Sequence, residues 1–268
     1  MLGPTLLDLL NLVLSRNCMP AAWKPKLLMP MYKRGGRHLA SNYRPIAVST
    51  IYYRLFVRIM GERLTGFVEG SAGCLQPYQF GFRPGLSTHH AHLVVATCCD
   101  IARVKNQPGV IMKLDIAGAY DTVLRPRLWQ ELLALGIPTG FVAVLRELYR
   151  GAPYVVNANG VFSRPFNNVV GLMQGCALSP ALYNLYCTRA YGRVHDKMVG
   201  HGLEIRPDTK CVQSNYADDT LPLLNKFEAI PAYVDAFQRE FEDLNQLCCL
   251  GCPSVKQRRP RRPACLRA

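Results

Sequence analysis

Two acidic sites set the strongest constraint on how this chain can fold. Val110-Ile111-Met112-Lys113-Leu114-Asp115-Ile116 is a short, mostly apolar run carrying an acid near its end, the pattern of a buried strand. Much later, Ala217-Asp218-Asp219 separates two further short runs, 211–216 and 220–224, which together read as a hairpin. Carboxylates are costly to bury unless they are paired or bind metal. A fold that aligns these strand ends gathers three carboxylates, and an oxygen-rich set of that kind favours Mg²⁺ over Zn²⁺. Two divalent ions held there would activate an attacking hydroxyl and stabilise a leaving phosphate. Taken alone, the same residues also fit a strand-end acid and an ordinary turn, because Asp is common in turns.

The remaining pattern alternates helical and extended segments. Helices are expected over residues 1–17, 49–64, 89–104, 126–135, 139–150, 177–193 and 232–247. In the second of these, Ile51, Leu55, Phe56, Ile59, Met60 and Leu64 recur at intervals of three and four. Leu27-Leu28-Met29 reads as a short strand before the turn at Gly35-Gly36. Residues 153–166 read as a hairpin around Asn159-Gly160. Gly70 to Gly85 is rich in Gly and Pro and reads as loop. No internal repeat is present.

Composition narrows the function classes. The chain has 268 residues and 49% hydrophobic content, enough to bury a core. Its 32 Lys plus Arg against 18 Asp plus Glu give a formal charge of +14, which points to a polyanionic partner. No stretch approaches the roughly 18 apolar residues of a membrane span; the charge by itself does not separate nucleic acid from an anionic membrane surface, and no membrane partner is expected. The run 6–14 contains Asp8 and Asn11 and reads as a helix rather than a signal peptide. Eleven Cys without a secretory signal read as free thiols in a reducing compartment, with Cys98, Cys99, Cys176 and Cys187 in apolar sequence. Cys248, Cys249, Cys252 and Cys265 lack a second close-spaced pair or a nearby His, so zinc is not expected there. Residues 253–268 hold six Lys or Arg and no acid, and are expected to form a disordered basic tail.

The ordered motifs carry more information than any single one. Asp115-Ile116-Ala117-Gly118-Ala119-Tyr120-Asp121, then Gly171-Leu172-Met173-Gln174-Gly175-Cys176-Ala177-Leu178-Ser179-Pro180, then Tyr216-Ala217-Asp218-Asp219 occur in that order. They resemble polymerase motifs A, B and C of reverse transcriptases. Upstream, Trp23-Lys24-Pro25, Tyr32-Lys33-Arg34-Gly35, Asn42-Tyr43-Arg44-Pro45-Ile46 and Gln79-Phe80-Gly81-Phe82-Arg83 resemble the fingers of non-LTR retrotransposon reverse transcriptases. The resemblance covers roughly residues 5 to 256.

The resemblance implies an α/β (α+β) right-hand polymerase: fingers-like residues 1–108, a palm with remaining fingers elements over 109–252, and the tail 253–268. The palm would hold a small antiparallel sheet of the Asp115 strand, the hairpin around Asp218 and an adjacent strand. No thumb is expected. The implied activity is RNA-directed DNA synthesis from dNTPs, with an RNA template and a DNA primer or RNA–DNA duplex as partners. Protein partners are unspecified. Asp115, Asp218 and Asp219 would hold two Mg²⁺ ions, with Mn²⁺ as a possible substitute. Tyr120 would exclude a ribose 2′-hydroxyl. Arg44 would hold the triphosphate with help from Lys33, the guanidinium matching phosphate oxygens. Gln174 and Gly175 would lie beside nucleotide and template.

Two positions depart from the family pattern. Gly35-Gly36-Arg37 lacks the usual acid, and Cys249-Leu250, Pro253 and Lys256 replace a Gly-Leu, Asn, Lys series. Lys256 keeps its register and would protonate the leaving pyrophosphate. The rival reading is a truncated or catalytically silent fragment that only binds nucleic acid through phosphate contacts. An intracellular location, nuclear or cytoplasmic, is expected.

Overall fold

The structure, a computed structural model, describes residues 3–250. In chain order its elements begin with α1 (Gly3–Arg16), β1 (Lys26–Tyr32), β2 (Tyr43–Val48), α2 (Ile51–Gly70), α3 (Thr88–Val104), β3 (Val110–Ile111), β4 (Leu114–Ala117), α4 (Arg125–Ala134) and α5 (Thr139–Tyr149). They continue with β5 (Pro153–Ala158), β6 (Val161–Phe162), β7 (Phe166–Asn167), α6 (Ser179–Met198), β8 (Leu203–Arg206), β9 (Thr209–Cys211), β10 (Gln213–Tyr216), β11 (Asp219–Leu224), α7 (Ala229–Glu242) and β12 (Leu247–Leu250). They fall into two units, each made from two chain segments. The first takes residues 3–70 and 123–182, and the second takes 71–122 and 183–250. Among the described residues, no helix is long and apolar enough to cross a membrane.

The first unit is built on a mixed sheet of order β2-β1-β5-β6, with β7 also paired to β5. β1 and β2 are antiparallel from Leu27↔Val48 to Tyr32↔Tyr43, and β1 and β5 are parallel. The strand expected over Leu27-Leu28-Met29 is therefore longer, and β2 is an addition. Prolines hide both from a pattern reading, since Pro donates no ladder bond. Here Pro30 lies opposite Pro45, so both missing N–H groups fall at one rung and pairing continues on either side. α2 forms where its spacing predicts, but its buried face is Tyr53, Phe56, Val57, Met60, Leu64 and Val68. Ile51 and Leu55, expected on that face, are exposed. A single 3.6-residue stripe cannot bury both sets.

The second unit holds the sheet β10-β11-β4-β12, with β3 beside β11, all antiparallel. This is the small sheet expected around Asp115 and Asp218. Its core includes Leu114, Leu223, Tyr191, Tyr233, Phe237 and Phe241. On α7, Phe237 and Phe241 stack with ring centroids 4.2 Å apart, and Tyr191 meets Phe241 edge-on at 4.9 Å. The helix expected to reach residue 247 stops at Glu242. Asn245 adopts φ of 55°, and Gln246 N–H returns to Phe241 O at 2.9 Å, a left-handed helix cap that turns the chain into β12. β8 and β9, which the sequence pattern does not announce, meet across Asp208 in a left-handed turn.

One buried cation stands out in the first unit. Lys26 is 1% exposed; its Nζ donates to Trp23 O at 2.6 Å and lies 3.2 Å from the Tyr53 ring centroid. Burial pushes its pKa down to about 7, with Cys176 opposing. The folded value lies below the unfolded one, so the unfolded chain holds the extra proton between about pH 7 and 10.4. Stability therefore rises with pH across that window. Urea unfolding should show the wild type gaining about 2 kcal/mol from pH 7 to 9 relative to Lys26→Met. Parallel curves for the two proteins would contradict this account of Lys26.

Candidate active site

Alternation along two strands decides which side chains share a face. Thr220 of β11 pairs with Leu114 of β4, and both are fully buried. Successive residues of a strand point to opposite faces. Continuing the same register by one residue sets Asp115 opposite Asp219, on the face away from Leu114 and Thr220. Lys113 precedes β4 by one residue and falls diagonally from Asp219 on that same face, within reach for a long side chain. Its Nζ lies 2.8 Å from Asp219 Oδ1, with both side chains about half exposed. The bond to Asp219 holds the Lys113 pKa up against partial burial, and the charges of Asp115 and Asp218 add to it.

Asp218 occupies the turn between β10 and β11, where Tyr216 pairs with Asp219. Burial raises its carboxyl pKa; the neighbouring charges of Asp219 and Asp115 raise it further, while its own backbone N–H and Lys113 oppose. The charges of Asp115 and Asp219 thus both reach Asp218. Among the described residues, no three His, Cys, Asp or Glu side chains form a ready-made metal cage. The donors themselves are hard carboxylate oxygens, the type Mg²⁺ takes, and the crowding of negative charge at Asp218 is a reason for a cation to bind. Tyr120, half-buried, stacks on Tyr183 of α6 at 5.1 Å and 15°, and burial with the charge of Asp218 raises its phenol pKa. Asp121 is exposed, and its N–H closes the turn to Gly118 O.

The turn bearing Asp218 is strained and is held from behind. Ala217 has φ of 58°, a left-handed value that costs a non-glycine residue about 1–3 kcal/mol. Gln79, 3% exposed, grips it with one amide: Oε1 accepts from Ala217 N–H and Gly81 N–H, each at 2.9 Å, and Nε2 donates to Ala217 O at 3.2 Å. Tyr191 Oη donates to the same carbonyl at 3.3 Å, and Asn184 donates to Gly81 O at 2.7 Å. Phe80 N–H bonds Asn215 O, and Asn215 N–H bonds Tyr78 O. A Cβ on Gly81 would lie 2.3 Å from Ala217 N, so only glycine fits. Arg83 donates to the carbonyls of Gln76 and Gln79, supporting this loop. These supports are invisible to local pattern: Gln79 and Ala217 lie far apart in sequence, and the motif around Gln79 signals only that the loop matters.

The first unit carries Lys33, Arg44, Gln174 and Gly175. Arg44 is exposed on β2, and Lys33, also exposed, extends the ladder through its N–H to Asn42 O. The Gln174-Gly175 loop lies against β2: Ala47 N–H donates to Gln174 O at 2.7 Å. Gly175 has φ of 97°, and a Cβ there would meet Ala47 O at 3.1 Å. This brings Gln174 and Gly175 beside the strand bearing Arg44. Arg125, which no local pattern marks, pins the approach to that loop. Its guanidinium is buried, donates to the carbonyls of Asn168, Val170 and Gly171, and lies over the Tyr149 ring. Lys256, Cys252, Cys265 and the basic tail lie outside the described residues.

Gln79→Ala strands two buried N–H groups, so it should destabilise the protein by about 3 kcal/mol. Urea unfolding of the two proteins measures this, and a variant as stable as the wild type would contradict the amide clamp.

Comparison with known proteins identifies the family. The profile of the reverse transcriptase (RNA-dependent DNA polymerase) family matches residues 31–247. The chain is 27% identical over 244 residues to an RNA-directed DNA polymerase from the mobile element jockey of Drosophila melanogaster, covering 88% of this chain and 25% of that protein. It is 26% identical over 220 residues to an uncharacterized 149 kDa protein of transposon TX1 from Xenopus laevis, covering 82% of this chain and 16% of that protein. The chain therefore spans a quarter or less of these relatives. Apo telomerase from Candida Tropicalis shares the fold, with a TM-score of 0.60 and 11% identity over 93% of this chain and 49% of that one. By the extent of the family match and the transposon proteins it aligns with, this chain belongs to the reverse transcriptase family, on the side of the non-LTR retrotransposon enzymes.

Proposed function

We propose that this chain carries out template-directed addition of deoxynucleotides to a primer 3′ end, reading RNA, with Asp115, Asp218 and Asp219 as the ligands of two Mg²⁺ ions. Mn²⁺ would serve in their place. The observation that carries this reading is the sheet register: Leu114 pairs with Thr220, so their neighbours Asp115 and Asp219 share the opposite face, and the half-buried Asp218 stands at the adjoining turn within electrostatic reach of both. In this reading the second unit serves as the palm and the first as the fingers.

The ions, when bound, would lower the pKa of the primer hydroxyl and neutralise charge on the leaving pyrophosphate. The chain's own residues do the rest. The three carboxylates orient the ions, and the Gln79 clamp keeps the turn from relaxing. Tyr120, braced by Tyr183, sets an aromatic ring that leaves no room for a ribose 2′-hydroxyl. Arg44 and Lys33 bind triphosphate oxygens through charge-assisted hydrogen bonds. Gln174 both donates and accepts beside the nucleotide, and Gly175 lets the backbone come close. Lys256 supplies a proton to pyrophosphate. The formal charge of +14 suits a nucleic-acid duplex.

Primer extension on an RNA template with Mg²⁺ and dNTPs tests the reading. The wild type should extend the primer, and an Asp218→Ala, Asp219→Ala variant should lose roughly three orders of magnitude or more, as when transition-state contacts are removed. No extension by wild-type protein that still binds duplex would leave a nucleic-acid-binding fragment instead. The same assay reads sugar choice. Tyr120→Val should admit ribonucleotides at least about tenfold more readily relative to dNTPs, a change of about 1.4 kcal/mol. Unchanged discrimination would remove Tyr120 from that role.

A further inference from the structure

Lys113 is a positive charge inside the carboxylate face that the proposed chemistry leaves without a task. Three carboxylates and one ammonium share this face, and the ammonium is committed to Asp219 at 2.8 Å. Such a pair holds weakly. Exposed ion pairs contribute little to stability, and both side chains here are about half exposed. Lys113 also lies between β3 and β4, outside both strands, so its flexible stem can swing without breaking a ladder bond. A divalent cation approaching Asp219 meets an ammonium already in contact with the oxygen it needs.

We infer that Lys113 is a positioning residue that holds the Asp219 carboxylate in the metal-free protein and must release it when a divalent cation binds, thereby lowering the affinity of the site for that cation. This rests on the reading of Asp115, Asp218 and Asp219 as metal ligands. The pairing does two things at once. It keeps Asp219 from being driven aside by repulsion from its neighbours, and it sets a threshold that an ion must overcome.

The test is a Mn²⁺ titration of the full chain followed by electron paramagnetic resonance, which counts free ion and needs no turnover. Lys113→Met and Lys113→Gln remove the charge, Lys113→Arg keeps it, and an Asp218→Asn, Asp219→Asn variant removes the ligands. The neutral variants should bind Mn²⁺ roughly fivefold more tightly, the scale of an exposed ion pair, and Lys113→Arg should stay near wild type. The Asp variant should lose the bound ion. Loss in the Asp variant with no tightening in either neutral variant would overturn the role of Lys113 alone. Equal binding by wild type and the Asp variant would overturn the metal-ligand reading, and the role of Lys113 with it. Circular dichroism of each variant checks that the exposed substitutions leave the fold intact.

Discussion

The turn that carries Asp218 and Asp219 bends through a left-handed alanine, and the amide of Gln79 keeps it bent. One side chain satisfies three backbone groups, two of them on Ala217 itself. Without it the strain at Ala217 could relax by moving the hairpin tip, and with the tip would go the register that sets Asp219 opposite Asp115. The clamp is anchored in turn. Asn184 and Tyr191 reach the same loop and turn from α6, and Tyr191 packs edge-on against Phe241 of α7. Apolar burial in the second unit therefore fixes the turn that carries the carboxylates, through a chain of hydrogen bonds.

The carboxylate face shows why such anchoring is needed. Like charges close together push apart, and the pKa of Asp218, raised first by its burial, is raised further by that conflict. Strand alternation places Leu114 and Thr220 in the core while their neighbours face outward. The opposing demands of core and site are thus met on two sides of one sheet. In the first unit the same economy operates with backbone alone: Gly175 approaches β2 closely because it lacks a Cβ, and Ala47 N–H donates to the Gln174 carbonyl.

What the sequence made legible follows from the range of each signal. The strand around Asp115, the hairpin at Asp218 and α2 are written in local periodicity, and each forms. β2 was hidden by Pro45, whose cost disappears only because Pro30 stands opposite. β12 was hidden because the helical pattern of α7 runs on past Glu242, and only the left-handed Asn245, whose side chain bonds Thr122 O, shows where it stops. The three Asp were singled out by chemistry and order. Gln79, Lys113 and Arg125 were not, because their roles depend on partners brought in by the fold: Ala217, Asp219, and the carbonyls of Asn168 to Gly171.

The most direct measurement of the central claim is anomalous diffraction from crystals of this chain with Mn²⁺, a template–primer duplex and a non-reactive nucleotide analogue. The account predicts Mn²⁺ peaks in contact with the carboxylates of Asp115, Asp218 and Asp219, with Asp219 freed from Lys113. Peaks elsewhere, with Asp115 and Asp218 bare and the Lys113–Asp219 pair intact, would contradict it.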